Sequence, residues 1–143
     1  MRSLKSSLHK GLMMKSSTKH RVARTRADGA WTEARYFSFI RSALRRASSK
    51  WPVKFSVKLA ARRKKPLHSA GKHRYEYCCA ICNGYFPDKD VAVDHIKPAG
   101  SLKSYDDLPR FVEILFCEAD NLQVVCHPCH AVKTTKERKE REK

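Results

Sequence analysis

Four of the six cysteines stand in two C-x-x-C pairs, Cys79-Ala-Ile-Cys82 and Cys126-His-Pro-Cys129, separated by 43 residues. Each short turn sets two sulfurs on one side of the backbone. Two such turns make one tetrahedral set of four thiolates, the pattern of a structural zinc site with no open coordination position. The metal closes a long loop, and its binding becomes folding free energy in a domain too small to rely on its core. Disulfides would require an oxidising compartment, and no secretory signal is present. A redox dithiol would not need a second matching pair. Cys78 precedes Cys79 directly, but the spacing pairs Cys79 with Cys82, which leaves Cys78 and Cys117 as unligated thiols. His127, inside the second pair, reads as a solvated or phosphate-facing ring.

A chain of 143 residues with 41% hydrophobic content can build one modest core but not two. Its formal net charge of +17 points to a polyanionic partner, nucleic acid before an anionic membrane. That charge is not evenly spread. Residues 1–74 hold 21 Lys and Arg against one Asp and one Glu, a net of +19, whereas residues 75–143 hold 10 against 12, a net of −2. Such segregation suggests that one half grips a polyanion while the other tolerates, or requires, carboxylates. No apolar run approaches the length of a membrane span. The lead MRSLKSSLHKGLMMK is basic but has no secretory h-region, and Met13-Met14 offers a second start.

Residues 1–30 are expected to be a disordered basic arm, because Ser, Lys and Arg offer too little burial to offset the entropy of ordering. A basic helical region and linker over 31–74 follows. Thr32 can cap a helix over EARYFSFIRSALRRAS, with Tyr36, Phe37, Ile40, Ala43, Leu44 and Ala47 at three- and four-residue spacings. Its other face carries Arg35, Arg41, Arg45 and Arg46. Pro52 opens a second helix, read through VKFSVKLAARRKK and thus including Arg62, Arg63, Lys64 and Lys65; a strand over KFSVKL is the competing reading. These eight cations are the expected phosphate-gripping residues. Pro66–Lys72 reads as a linker into a domain spanning 75–143.

Within that domain VAVDHIKP reads as a short strand delivering Asp94 and His95 at its end. DDLPRFVEILF reads as a helix with Asp106 or Asp107 as cap and Phe111, Ile114 and Leu115 facing inward. Leu122–Val125 is a second strand that runs into the second cysteine pair, and His130 opens a terminal helix. Asp94, His95, Asn121 and His130 therefore collect near element ends. Together they supply what phosphodiester hydrolysis requires: oxygen and imidazole ligands for a divalent ion, a base of near-neutral pKa, and an amide to hold geometry.

This pattern resembles the HNH endonuclease family, especially its small phage-borne members whose finger is tied by two C-x-x-C turns. The matching residues are Cys79-x-x-Cys82, Asp94-His95-Ile96-x-Pro98, Glu118-Ala-Asp-Asn121 through Cys126-x-x-Cys129-His130, and Lys133-Thr134, covering about residues 75–137. The resemblance implies a small α+β protein with a ββα-metal core stabilised by the four-Cys zinc and preceded by the basic, mainly helical region. It implies that His95 is the general base and that Asp94 and His130 hold one catalytic divalent cation, magnesium with manganese or nickel as substitutes. Asn121 either braces the loop that carries the base or joins the metal site. The stretch from His95 to Asn121 is long for a minimal member, and the basic half lies outside the motif.

The leading expectation is a metal-dependent DNA endonuclease that nicks or cleaves double-stranded DNA. The alternatives are a non-catalytic zinc-finger DNA-binding protein and a phage DNA-packaging accessory that meets terminase or other packaging proteins. A phage-encoded protein of this kind would work in the host cytoplasm, neither secreted nor at a membrane.

Overall fold

Ala27, Asp28 and Gly29 all adopt positive φ, at 50°, 50° and 80°, and so turn the chain between β1 (Arg24–Arg26) and β2 (Trp31–Thr32). The computed structural model describes residues 20–69 and 71–143. The expected disorder of residues 1–30 lies outside the described residues as far as position 19; beyond it, the reading gives way to this hairpin. An Asp-Gly turn supplies the left-handed backbone. Arg26 then fastens the hairpin by hydrogen-bonding Glu33 at 3.1 Å and stacking over the Tyr36 ring at 4.5 Å.

Helix α1 (Glu33–Ser48) begins where the sequence predicts, with the Thr32 hydroxyl accepting the Arg35 N–H at 3.2 Å. Phe37, Ile40 and Leu44 face a cluster formed with Ala99, Leu102, Phe111 and Leu115, the last four from the segment between Asp94-His95 and Asn121. Pro52 starts α2 (Pro52–Ala60), which stops five residues before the expected end at Lys65.

Arg62, Arg63 and Lys64 are not helical. They form β3 (Arg62–Lys64), which pairs antiparallel with β4 (Tyr75–Cys78), itself paired to β5 (Tyr85–Phe86). Cross-strand partners outweigh the local helical preference. Arg63 opposes and ion-pairs Glu76 at 2.8 Å, and Arg62 lies over the Tyr75 ring at 4.1 Å. The described residues of the expected linker Pro66–Lys72 lie between β3 and β4.

The two strands expected around the candidate site form β6 (Val91–His95) and β7 (Leu122–Cys126), antiparallel in a register running from Val91↔Cys126 to His95↔Leu122. Between them come a 3-10 turn over Tyr105–Asp107 and α3 (Leu108–Leu115). Asp107 sits at the start of α3, and its carboxylate accepts the backbone N–H groups of Lys103 and Ser104. Helix α4 (His127–Arg141) starts three residues before His130, with Pro128 in its first turn, and packs on both β6 and β7. The described residues thus form a small α+β structure of four helices and three small antiparallel sheets. Among the described residues no helix is long and apolar enough to cross a membrane.

The two buried clusters are unequal. Phe37, Leu102, Phe111 and Leu115 anchor the first, each worth about 1.5–3 kcal/mol of burial. The second consists of Cys79, Cys126 and one aliphatic residue, Val125, with Phe86 and Cys129 against them. By itself the second offers little hydrophobic stabilisation.

Candidate metal and catalytic sites

The second cluster is where the four cysteines meet. Cys79 directly follows β4, and Asn83 at a φ of 60° bends the following turn, closed by Cys79 N–H to Gly84 O at 2.8 Å and Asn83 N–H to Cys79 O at 2.9 Å. Gly84 is needed there for space: a Cβ would come within 2.9 Å of the Phe86 ring and 3.4 Å of Cys82 Sγ. Ala80 N–H bonds Val124 O at 2.8 Å and ties the turn to β7, whose end carries Cys126 into α4 and its first-turn Cys129.

The sulfurs of Cys79, Cys82, Cys126 and Cys129 all lie within 4.8 Å of one another, and Cys82 Sγ is 3.9 Å from Cys126 Sγ. A tetrahedral ion at about 2.3 Å from each sulfur requires edges of about 3.8 Å, so the four could hold one metal ion. Cys78 is outside the set, as the spacing predicts. The thiols titrate unequally. Burial opposes ionising Cys79, but backbone hydrogen bonds from Cys82, Cys126 and Ile81 outweigh it and bring that thiol down to about 6. The thiol–thiol hydrogen bond to Cys126, and then burial, push Cys129 up to about 12. Four sulfurs this close cannot all ionise without a cation among them.

Asp94 and His95 end β6, and α4 crosses beside them. His130, Lys133 and Glu137 recur at three- and four-residue spacing and share one helix face. Asp94 Oδ1 lies 3.5 Å from His130 Nε2, and Asp94 Oδ2 lies 2.9 Å from the Lys133 ammonium. That Oδ2 is sealed from solvent with no hydrogen-bond donor aligned on it, so Lys133 serves it as an ion pair. Lys133 also donates to His95 O at 2.8 Å and pairs with Glu137. Side-chain exposure separates the members, at 15% for Asp94 and 16% for Lys133 against 41% for His130. The carboxylate is thereby divided, with one oxygen held inside by Lys133 and the other facing an accessible imidazole.

His95 Nε2 lies 3.0 Å from Leu115 O at the end of α3. A carbonyl can only accept, so Nε2 carries the proton and Nδ1 of the neutral ring keeps its lone pair. Leu115 O is one of the carbonyls a helix end leaves without an intrahelical partner. Burial holds the imidazole below its usual value; the Leu115 hydrogen bond opposes this, Lys54 adds to it, Asp94 opposes it, and Arg45 adds to it. Close by, Cys117 O accepts the Trp51 indole N–H at 2.7 Å, docking the α1–α2 corner onto the same helix end.

Asn121 grips one residue with both amide atoms: Oδ1 accepts Lys97 N–H at 2.8 Å, and Nδ2 donates to Lys97 O at 3.1 Å. Its own carbonyl accepts Ile96 N–H at 2.9 Å. Asn121 therefore braces the chain just after His95. Asn121→Ala removes two such bonds and is expected to lower stability by about 1–3 kcal/mol, read as a lower urea midpoint at unchanged slope.

The expected phosphate-gripping cations separate into two elements. Arg35 stacks over Trp31 at 4.7 Å, Arg41 donates to Ser38 Oγ at 3.2 Å, Arg45 lies over Phe111 at 5.6 Å, and Arg46 is exposed, all on α1. Arg62, Arg63 and Lys64 are exposed along β3, and Lys65 N–H donates to Arg74 O at 2.9 Å in the hairpin loop. Lys133 and Leu115 are the participants that sequence reasoning leaves without a role. Lys133 is legible from its spacing to His130 and Glu137, whereas nothing local marks Leu115. No family model matches this chain, and comparison with curated proteins and with solved structures finds no match.

Proposed function

We propose that the protein is a metal-dependent endonuclease of the HNH type, hydrolysing phosphodiester bonds of double-stranded DNA. The observation that carries this reading is the end of β6, where the His95 imidazole is anchored through Nε2 on Leu115 O and the adjacent Asp94 turns one carboxylate oxygen to a second, accessible imidazole, that of His130. A strand pair with a helix packed across it, β6–β7–α4, suits the ββα-metal arrangement that the sequence motif implies. The net charge of +17 supplies attraction to the polyanion.

In this reading the four-Cys cluster holds a structural zinc ion. Asp94 Oδ1 and His130 Nε2 would hold the divalent cation. An oxygen and an imidazole nitrogen 3.5 Å apart fit one octahedral ion, whose ligands at about 2.1 Å stand about 3 Å apart when adjacent. When bound, that cation offsets charge on the phosphoryl and leaving oxygens. The donor set suits magnesium, and its imidazole suits manganese or nickel as well.

His95 does the proton chemistry. With Nε2–H anchored on Leu115 O, Nδ1 accepts the proton of the attacking water, and the carbonyl then faces the imidazolium it helps to stabilise. A pKa held below the usual histidine value keeps the ring neutral at pH 7 and ready to accept. Asn121 fixes the chain after His95, and Lys133 fixes the His95 carbonyl, so the ring is positioned from both sides. In-line attack expels the 3′ oxygen and leaves a 5′-phosphate.

The test is supercoiled plasmid incubated with the zinc-loaded protein and Mg²⁺, Mn²⁺ or Ni²⁺. Relaxed or linear product with 5′-phosphate ends is expected. Intact plasmid with all three ions, from protein that binds DNA, would favour the non-catalytic zinc-finger reading instead.

A further inference from the structure

The ladder between β3 and β4 sets each cation against an unlike partner until its end. Arg62 stands opposite Tyr77, Lys64 stands opposite Tyr75, and Arg63 stands opposite Glu76 and ion-pairs with it at 2.8 Å. The next rung sets Lys65 against Arg74, with the Lys65 N–H donating to Arg74 O at 2.9 Å. Residues opposed across an antiparallel ladder share a face, and like charges so placed are destabilising. Other cations of the chain also lack an acid, but these two face one another. Positions 62–75 contain no Asp or Glu to relieve them.

Both residues line one hollow of about 340 Å³, together with Lys64, Ser69, His73 and Tyr75. That volume lies near the lower end for ligand sites, about 300–1,000 Å³. One wall is a closed turn, in which the N–H and the Oγ of Ser69 both donate to Pro66 O, at 3.0 and 2.9 Å. Another is the returning chain at Gly71, where a Cβ would stand 3.5 Å from Lys65 Nζ. The Lys65 ammonium thus reaches across to the returning chain, and Arg74 stays exposed. Among the described residues no carboxylate lines the hollow.

We propose that this hollow of the β3–β4 hairpin seats one phosphate of the DNA backbone between Lys65 and Arg74. DNA as the source of that phosphate rests on the nuclease reading. A phosphodiester carries one negative charge and the acceptor oxygens that an ammonium and a guanidinium fork can share, and its binding relieves the repulsion across the rung. Six Lys and Arg over positions 62–75 suit a polymer charged at every unit better than a single acidic side chain. The hairpin belongs to a different sheet from Asp94 and His95, so the seat anchors backbone and takes no part in proton transfer. Arg74, which sequence reasoning leaves without a role, becomes a DNA-binding residue.

The experiment is fluorescence anisotropy of a labelled short DNA duplex over a range of salt, joined to thermal melting of each protein. Inorganic phosphate and polyglutamate serve as competitors at constant ionic strength. Wild type is compared with Lys65→Met, Arg74→Met and Arg74→Glu, and with Lys89→Met, which removes an exposed cation between Asp88 and Asp90, as control. Lys65→Met and Arg74→Met are each expected to weaken binding about three- to tenfold and to reduce the salt slope by about 1, with Lys89→Met changing less. Arg74→Glu sets an acid against Lys65, so melting temperature should hold or rise while affinity falls further than in Arg74→Met. A fall in melting temperature of several degrees in both Arg74 variants would make the rung structural and overturn the seat. Wild-type duplex affinity in Arg74→Glu would also overturn it, and plasmid cleavage by wild type would then leave the nuclease reading intact. Displacement of duplex from wild type but not from Arg74→Met would reassign the seat, to free phosphate if inorganic phosphate does it and to an acidic protein if polyglutamate does. Duplex binding that depends on Arg74, in a protein that cleaves no plasmid, would keep the seat and remove the nuclease.

Discussion

Cys126→Ser is expected to leave a chain that neither holds zinc nor folds cooperatively. The cysteine cluster packs around a single buried aliphatic side chain, Val125, worth about 1.5–3 kcal/mol. A structural zinc ion contributes about 10–16 kcal/mol in small metal-dependent domains, against a total stability of about 5–15 kcal/mol for an ordinary domain. Removing one of the four proposed ligands would therefore take away more than the rest of this region can replace. Cys126 also ends β7 and begins α4, so the damage reaches the elements that carry His130 and Lys133. Metal content should fall from about one zinc per chain to near zero, near-UV circular dichroism should collapse, and a strong chelator should do the same to wild type. Cys78→Ser is the internal contrast: it lies one residue from a ligand but outside the sulfur set, and should keep both zinc and fold. A folded, zinc-free Cys126→Ser protein would remove the metal from the account of stability.

How far the sequence could lead is clearest from individual elements. The start of α1 was legible because its determinants are local: a threonine cap and apolar residues at helical spacing. The four-sulfur set was legible for the same reason, since a C-x-x-C turn predicts its own geometry. Arg62–Lys64 misled because a run of cations is as compatible with helix as with strand. The partners that decide it, Glu76 and Tyr75, lie on the far side of a loop. The β1–β2 hairpin could have been found, because Asp28-Gly29 is a turn signal, but the surrounding polar composition pointed to disorder. The early start of α4 was also within reach through Pro128, a residue favoured in a first helical turn.

The candidate catalytic residues came from the motif, and their neighbours from the fold. Asp94 and His95 could be placed at the end of one strand. That Leu115 O would fix the imidazole tautomer depends on where α3 ends in space, a tertiary fact. The long segment between His95 and Asn121 is what supplies that helix end. The same segment contributes Leu102, Phe111 and Leu115 to the main core, so stability and the setting of His95 share one stretch of chain.

His95→Ala should remove cleavage while sparing the protein. The ring is half-buried and, among the described residues, makes one hydrogen bond, to Leu115 O, so the fold and the four-Cys site should survive its loss. Loss of a general base slows a proton-transfer step by about 10²–10⁴-fold. DNA affinity, which depends on phosphate contacts by Lys and Arg, should change little. The most direct measurement is therefore the initial rate of supercoiled plasmid loss with Mg²⁺ for wild type and His95→Ala, at matched zinc content and matched DNA occupancy. The account predicts wild-type nicking or linearisation and a His95→Ala rate lower by at least about a hundredfold; equal rates in the two proteins, or intact plasmid in both, would contradict it.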